Sequence, residues 1–292
     1  MISQIIDILG LIIISLVVWN GRKNLMSLSL PSQIILATML MLYLLPFFAN
    51  PWRFVIQPYW MELLIAYYIF ASTTAIMFLW VSLDIALLNN FIYKAILLFL
   101  LSVTCLLLVK PGQHSILNGA VEMGFTVTRV KGNSYWVWQA VMVMALVGSI
   151  CVNYYAFKRR TGRDRILAKA LLFAWAPTAI LGATIIILME LGFHITADGV
   201  ITLVMPLVPY VLINPDKCER FLMLIPLTAE NRRAADLNDN LFADRGLHER
   251  LESVEHMIIK ETLEKTKGNR SATAKELGMS RPTLIRKISG IE

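Results

Sequence analysis

The chain has 292 residues, of which 57% are hydrophobic and 16% charged, and a formal net charge of +7 at pH 7. This apolar share is well above that of an ordinary soluble domain and argues against a protein that lies wholly in water. Residues 1–215 contain thirteen Lys/Arg and seven Asp/Glu, whereas residues 216–292 contain fourteen and thirteen, so we expect two regions in different solvents.

Seven segments are apolar enough, over about 20 residues, to predict membrane-spanning helices. They lie at about residues 2–19, 32–50, 61–83, 91–109, 134–157, 166–189 and 197–213. A cleaved signal peptide has basic residues before its apolar core, but here Arg22 and Lys23 follow it, so we expect the first helix to be retained.

Basic residues predict the orientation of these helices. Lys158, Arg159, Arg160, Arg163 and Arg165 lie between spans five and six, which places this loop in the cytoplasm by the positive-inside rule. We therefore expect a protein of the bacterial inner (cytoplasmic) membrane with its N-terminus outside and its C-terminus in the cytoplasm.

The longest outer loop, at about residues 110–133, is rich in β-forming residues over 124–133 and ends in turn residues, so it predicts a small hairpin. Aromatic residues near the ends of the spans indicate an interfacial belt. They are Trp52, Tyr59, Trp60, Tyr135, Trp136 and Trp138.

Charged residues within or beside the spans either snorkel to an interface or mark a functional position. They are Asp7, Asp84, Lys94, Lys169 and Glu190. None forms a spaced acid–base relay, and the three cysteines have neither CxxC nor Cys/His metal spacing. We therefore predict no catalytic residue, no enzyme activity, no metal, no cofactor and no structural disulfide.

One part of the membrane region resembles a known sensor. Residues 132–136, the following apolar span, Lys158-Arg159-Arg160 and a next span with Ala176-Pro177 resemble the seven-helix N-terminal sensor region of certain bacterial histidine kinases. The resemblance covers about residues 1–213 and implies a module that senses a ligand or the state of the membrane. No phosphoacceptor histidine segment or ATP-binding glycine-rich box follows Pro215, so no kinase is expected.

The segment after the last span is mixed in character. Residues 221–226 are apolar but too short to cross a bilayer, and Asn231 to Gly246 are polar throughout. We interpret residues 215–246 as a juxtamembrane segment and flexible linker.

A helix is predicted over about residues 247–266. Leu247, Leu251, Val254 and Ile258 recur at spacings of four, three and four, which places them on one face, and Ile259 and Leu263 widen that stripe. The stripe either only packs on the next two helices or also pairs with a second chain. Gly268 ends the helix.

Residues 269–288 predict a helix-turn-helix. Asn269 and Ser280 are suitable N-caps, Gly278 supplies the turn, and Leu284 with Ile288 forms the inner face of the last helix. A basic outer face suits the major groove of DNA, where Arg pairs with guanine and other residues bind phosphate. The candidate DNA-binding residues are Asn269, Arg270, Ser271, Ser280, Arg281, Thr283, Arg286 and Lys287. Of these, Arg270, Ser271 and Lys287 are the candidate phosphate contacts.

The segment Leu251 to Ile288 resembles the Fis-type helix-turn-helix at the C-terminus of bacterial enhancer-binding proteins and in the nucleoid protein Fis. The resemblance rests on residues 263–269, Ala272 with Ala274, residues 277–281, Thr283-Leu284 and Arg286-Lys287, while Pro282 departs from that pattern. It implies DNA binding as a dimer to a two-fold related site. No GxxxxGK[ST] motif is present, so ATP-driven activation is not expected.

The sequence thus predicts an all-α protein in which a seven-helix transmembrane bundle precedes a small cytoplasmic helix-turn-helix. The predicted domains are residues 1–214, 215–246 and 247–292. We hypothesise a one-component transcriptional regulator whose partners are double-stranded DNA, the lipid bilayer, a second copy of the chain, and a small-molecule or membrane-state signal. A transporter whose tail tethers it to the nucleoid, and a purely structural anchor between DNA and membrane, are the alternatives.

Overall fold

A computed structural model describes residues 2–49, 57–88, 90–110, 112–123, 126–190, 204–226, 228–242 and 246–288. The chain is mostly helical and forms two compact units, Met1–Glu219 and Arg220–Glu292. The first unit contains α1 (Ile2–Asn20), α2 (Arg22–Leu25), α3 (Leu30–Ala49), α4 (Trp60–Ile85), α5 (Phe91–Val109), β1 (Leu117–Met123), β2 (Thr126–Lys131), α6 (Tyr135–Arg159), α7 (Gly162–Glu190) and α8 (Leu207–Ile213).

Five helices in the described residues are long and apolar enough to cross a membrane, rather than the seven that the sequence predicts. Their apolar segments are Leu30–Phe47, Gln57–Ile85, Phe91–Val109, Tyr135–Arg159 and Gly162–Gly182. Helix α1 has 19 residues, of which the side chains are described from Ile8 onward, so only its segment Ile8–Asn20 can be assessed as an apolar helix. The predicted seventh span lies partly outside the described residues, and its described end is the seven-residue helix α8.

Helix α4 lies at the centre of the first unit, where it packs against α3, α5 and α6. Its residues Ile76 and Phe78 are completely buried, and the Phe78 ring lies 4.4 Å from that of Trp175 on α7. Helix α4 has serine and threonine residues among its apolar ones. Their small hydroxyl side chains allow the close packing that its central position requires.

Three hydrogen bonds join α4 to its neighbours through those hydroxyl groups. Thr74 Oγ1 donates to Thr38 Oγ1 of α3 at 2.7 Å. Asn153 Nδ2 and Trp138 Nε1, both on α6, donate to Ser82 Oγ at 2.8 Å and Ser72 Oγ at 3.0 Å. Such bonds between helices fix their register where apolar packing alone is unspecific.

The hairpin expected between α5 and α6 is confirmed, since β1 and β2 pair antiparallel. Arg129 Cζ and Lys131 Nζ lie 5.1 and 5.5 Å from the centre of the Tyr135 ring. Tyr135 is only 4% exposed, so it belongs to the core beneath the hairpin and not to an interfacial belt, whereas Trp136 is 67% exposed.

The charged residues of the spans have defined surroundings where the structure describes them. Lys94 Nζ lies 3.1 Å from Asp84 Oδ1 and 5.0 Å from the Trp80 ring centre, so these two charges offset each other. The side chains of Asp7 and Glu190 lie outside the described residues. Cys105, Cys151 and Cys218 carry free thiols, and burial raises the pKa of Cys218 to about 11.

The remaining helices are α9 (Cys218–Met223), α10 (Ala229–Phe242), α11 (Leu247–Lys265), α12 (Arg270–Glu276) and α13 (Arg281–Ile288). Helix α10 shows that residues 231–242 of the expected flexible linker are helical, while residues 243–245 lie outside the described residues. Thr228 begins it, because its Oγ1 accepts from the backbone N–H of Asn231 at 3.1 Å. Arg233 Nε pairs with Glu261 Oε1 of α11 at 3.0 Å and adds a contact between the two helices.

Candidate nucleic-acid interface

Helices α11, α12 and α13 share one small core. Ile259, Ala274 and Leu284 are buried at its centre, with one residue from each helix. Leu263, Leu277, Met279 and Ile288 pack around them. The inner positions predicted for Leu284 and Ile288 are therefore confirmed.

The junction between α11 and α12 follows local capping rules. Gly268 has a φ of +79°, and its N–H donates to Leu263 O at 2.8 Å, which closes the end of α11. Asn269 Oδ1 accepts from the N–H groups of Ser271 and Ala272, both at 3.2 Å, and so caps α12 as the sequence predicts. The side-chain oxygen of Asn269, a candidate DNA-binding residue, is therefore already hydrogen-bonded within the protein.

The turn between α12 and α13 depends on a left-handed residue. Gly278 has a φ of +65°, and the N–H of Met279 donates to Ala274 O at 3.0 Å. This is the Schellman arrangement, in which the apolar residue after the glycine packs against the preceding helix. Ser280 Oγ then accepts from the N–H of Thr283 at 3.2 Å and caps α13.

A buried hydroxyl pair joins α11 to α12, and sequence reasoning missed it. Thr273 is completely buried, and its Oγ1 lies 2.6 Å from Thr266 Oγ1. Thr273 Oγ1 also donates to Asn269 O at 2.9 Å. The only sequence signal is a polar residue at an inward-facing helical position.

The candidate DNA-binding residues divide into two groups by exposure. Thr283 and Lys287 are half-buried. The exposed ones are Asn269, Arg270, Ser271, Ser280, Arg281 and Arg286. Exposure keeps those groups accessible to a ligand as large as a duplex.

Lys287 differs from the other cations of this surface. Its Nζ lies 2.6 Å from Glu255 Oε2, so it joins α13 to α11 in an ion pair. Lys265 similarly pairs with Glu276 and joins α11 to α12. Arg270, Lys275 and Arg281 form no ion pair within the part of the chain that the structure describes, so they leave uncompensated positive charge on α12 and α13.

This arrangement suits a polyanion. Arg281 is the first residue of α13, and the N-terminal residues of such a helix reach base edges when it lies in the major groove. Arg270 and Ser271 begin α12, where exposed cationic and hydroxyl groups match phosphate oxygens.

The comparison with protein families agrees with this geometry. The family described as "bacterial regulatory protein, Fis family" matches residues 250–289. The segment is thus a Fis-type helix-turn-helix, as its sequence resemblance indicates. No curated protein and no solved structure matches the chain.

Proposed function

We propose that this chain is a membrane-embedded one-component transcriptional regulator, in which α11 to α13 bind promoter DNA and the first unit responds to a signal in or across the bilayer. The observation that carries the proposal is the Fis-type helix-turn-helix, which combines a formed core with exposed cations on α12 and α13. The five apolar helices support residence in a membrane.

In the proposed complex, α13 lies in the major groove. Arg281 and Arg286 contact base edges, since the guanidinium group pairs with guanine O6 and N7. Arg270 and Ser271 bind phosphate and position the module without selecting sequence. Lys287 was expected to bind phosphate too, but its ion pair with Glu255 favours a role in holding α13.

We further propose that the regulator binds as a homodimer through α11. Leu247, Leu251 and Ile258 are 73%, 55% and 45% exposed and recur at spacings of four and seven, which gives an apolar stripe. Only Ile259 and Leu263 of this helix join the core of the helix-turn-helix. A second α11 would cover the stripe and present two copies of α13 to half-sites about 34 Å apart.

The loop charges favour an orientation with the N-terminus outside and the DNA-binding unit in the cytoplasm. A signal that changes the dimer or the juxtamembrane geometry would then alter the spacing of the two α13 helices. This coupling needs no phosphorylation step.

Binding of the full chain in lipid nanodiscs to its own operator tests the proposal. Immunoprecipitation of the tagged chain from cells supplies the operator DNA. Arg281→Ala should weaken operator binding by about tenfold or more, since one bidentate contact contributes about 1–3 kcal/mol of discrimination. The matched control Lys260→Ala removes an exposed cation from α11 and should change binding by less than about threefold.

Equal operator affinity of Arg281→Ala and the wild-type chain would contradict the proposal. Occupancy without sequence preference, together with unchanged transcripts in a deletion strain, would instead indicate a structural anchor.

A further inference from the structure

Helix α8 ends close to the point where the chain leaves the first unit. Its last residue, Ile213, precedes the boundary between the two units at Glu219 and Arg220. Val208, Val211 and Ile213 are completely buried, and α8 packs against α1, α3 and α7. Because packed interiors deform little, this short helix moves with the helices that hold it.

Asn24 joins the N-terminal segment of the first unit to the end of α8. Its Nδ2 donates to Ile213 O at 3.0 Å, although the two residues are 189 positions apart in the sequence. Carbonyl groups in the last turn of a helix have no partner within that helix, so the Asn24 side chain satisfies one of them. Asn24 lies on α2, which follows α1 after the single residue Gly21. The bond therefore connects the end of α1 to the end of α8.

Gly21 allows the same two segments to approach closely. It is buried with a φ of −95°, and a Cβ added to it would overlap Cγ2 of Ile213. That methyl group belongs to a completely buried β-branched side chain, which has few alternative χ1 rotamers. A side chain at position 21 would therefore displace Ile213 or α1 itself.

A weaker contact holds the residues that follow α8. Arg163 Nη2 on α7 pairs with Asp216 Oδ1 at 3.0 Å, and the two side chains are 65% and 77% exposed. Ion pairs as exposed as this one are screened by water and contribute little. The contacts of Gly21 and Asn24 with Ile213 therefore constrain the end of α8 more than this ion pair does.

The residues between Ile213 and the unit boundary are themselves packed. Asn214 is 4% exposed, and its Nδ2 donates to Tyr210 O at 3.2 Å. Cys218 is 1% exposed, and its Sγ lies 3.8 Å from Asn214 O. A displacement of Ile213 is therefore passed along this segment, because buried side chains tie it to α8.

We propose that Gly21 and Asn24 form a clamp on the end of α8, which transmits a displacement of α1 to the DNA-binding unit and so sets its affinity for the operator. A signal that moves α1 in the bilayer moves Ile213 through the clamp, and the packed segment after Ile213 carries that movement to the unit boundary. The inference rests on the proposed function, since only a DNA-binding regulator has an operator affinity to set.

Operator binding by the full chain in lipid nanodiscs tests the clamp. Gly21→Ala forces α1 and α8 apart, whereas Asn24→Ser removes the Nδ2 donor. Each should change the operator affinity about threefold or more, as substitutions that alter coupling between distant regions do. Hydrogen exchange of α12 and α13 should stay at the wild-type rate, since both residues belong to the first unit. The exchange rates separate a transmitted effect from damage to the helix-turn-helix.

A double-mutant cycle assigns the effect to Ile213. Ile213→Ala lacks the methyl group that the added Cβ would overlap, so in that background Gly21→Ala should change operator affinity by less than about twofold. The matched controls are Gly112→Ala and Asn20→Ser. An added Cβ at Gly112 meets no atom within 4 Å, and Asn20 is an exposed residue at the end of α1. Both controls should keep the wild-type affinity.

Wild-type affinity in both Gly21→Ala and Asn24→Ser would overturn the clamp, as would an equal change in the two controls or faster exchange of α12 and α13. If Gly21→Ala does not fold, Asn24→Ser alone decides, because it removes a single hydrogen bond of a half-buried side chain. Absence of operator binding by the wild-type chain would instead overturn the proposed function. The two failures are therefore distinguishable.

Discussion

At the scale of single residues, Lys287 has two candidate roles in the helix-turn-helix. It either stabilises α13 through its ion pair with Glu255 or binds DNA phosphate. We expect Lys287→Met and Glu255→Gln each to speed amide hydrogen exchange in α13, and the double variant to add little beyond either. Both side chains are about one-third exposed. The coupling should therefore be about 0.2–1 kcal/mol, as for solvent-screened pairs. Exchange of α13 peptides in the full chain measures it.

Lys260→Met is the control for this cycle and should leave α13 exchange unchanged. The opposite pattern, in which Lys287→Met leaves exchange unaffected but weakens operator binding as much as Arg281→Ala, would show that Lys287 binds phosphate.

Gly278 provides a second residue-scale prediction. An added Cβ at this position meets no atom within 4 Å, so any cost of substitution comes from its φ of +65°. Gly278→Ala should destabilise the turn by about 1 kcal/mol and speed exchange of α12 and α13 about fivefold, whereas Gly278→Asn should cost less because Asn tolerates this conformation. Equal exchange of the two variants would contradict this account.

The caps and the turn of the helix-turn-helix could be predicted from sequence because their hydrogen bonds join residues at most five positions apart. Asn269, Gly278 and Ser280 all have the predicted local roles. The pair of Lys287 with Glu255 joins residues 32 positions apart, so no local pattern indicates it. The DNA contacts themselves stay predictions.

At the scale of elements, α11 has 19 residues but α12 and α13 have only seven and eight, and Leu247 and Leu251 near the start of α11 are exposed. Leu251→Glu places a carboxylate on the exposed stripe and should lower the dimer fraction of the full chain, with an affinity loss of about tenfold or more. Lys260→Glu introduces the same group away from the stripe and should leave the dimer intact. Native mass spectrometry of the full chain measures both, and an unchanged dimer in Leu251→Glu would remove α11 as the interface.

Polar composition is a poor guide to order in the segment before α11. Asn231 to Gly246 suggests a linker, yet Ala234, Ala235 and the cap from Thr228 favour the helix α10. In the membrane region the sequence predicts more helices of spanning length than the described residues contain, because hydropathy alone predicts seven spans. Five helices among the described residues are long and apolar enough to cross a bilayer, while the side chains of the first and seventh predicted spans are described only in part.

At the scale of the whole molecule, topology provides the decisive prediction. Alkaline phosphatase inserted between β1 and β2 should be active, since the proposed orientation places the hairpin outside. The same enzyme fused after Glu292 should be inactive, and a fluorescent protein fused there should fold and emit. Phosphatase activity from the C-terminal fusion would contradict a regulator whose α13 helices reach the chromosome.

The length of α13 has a consequence for how operator DNA would be recognised. Eight residues at 1.5 Å each give a helix about 12 Å long, and the duplex rises about 3.4 Å per base pair, so one copy covers about four base pairs. A sequence of four base pairs recurs by chance throughout any genome, so the proposed dimer would gain its selectivity from two such sequences at a fixed distance. Under that proposal, a small insertion between the two sequences would remove an operon from the regulon while both sequences stay unchanged.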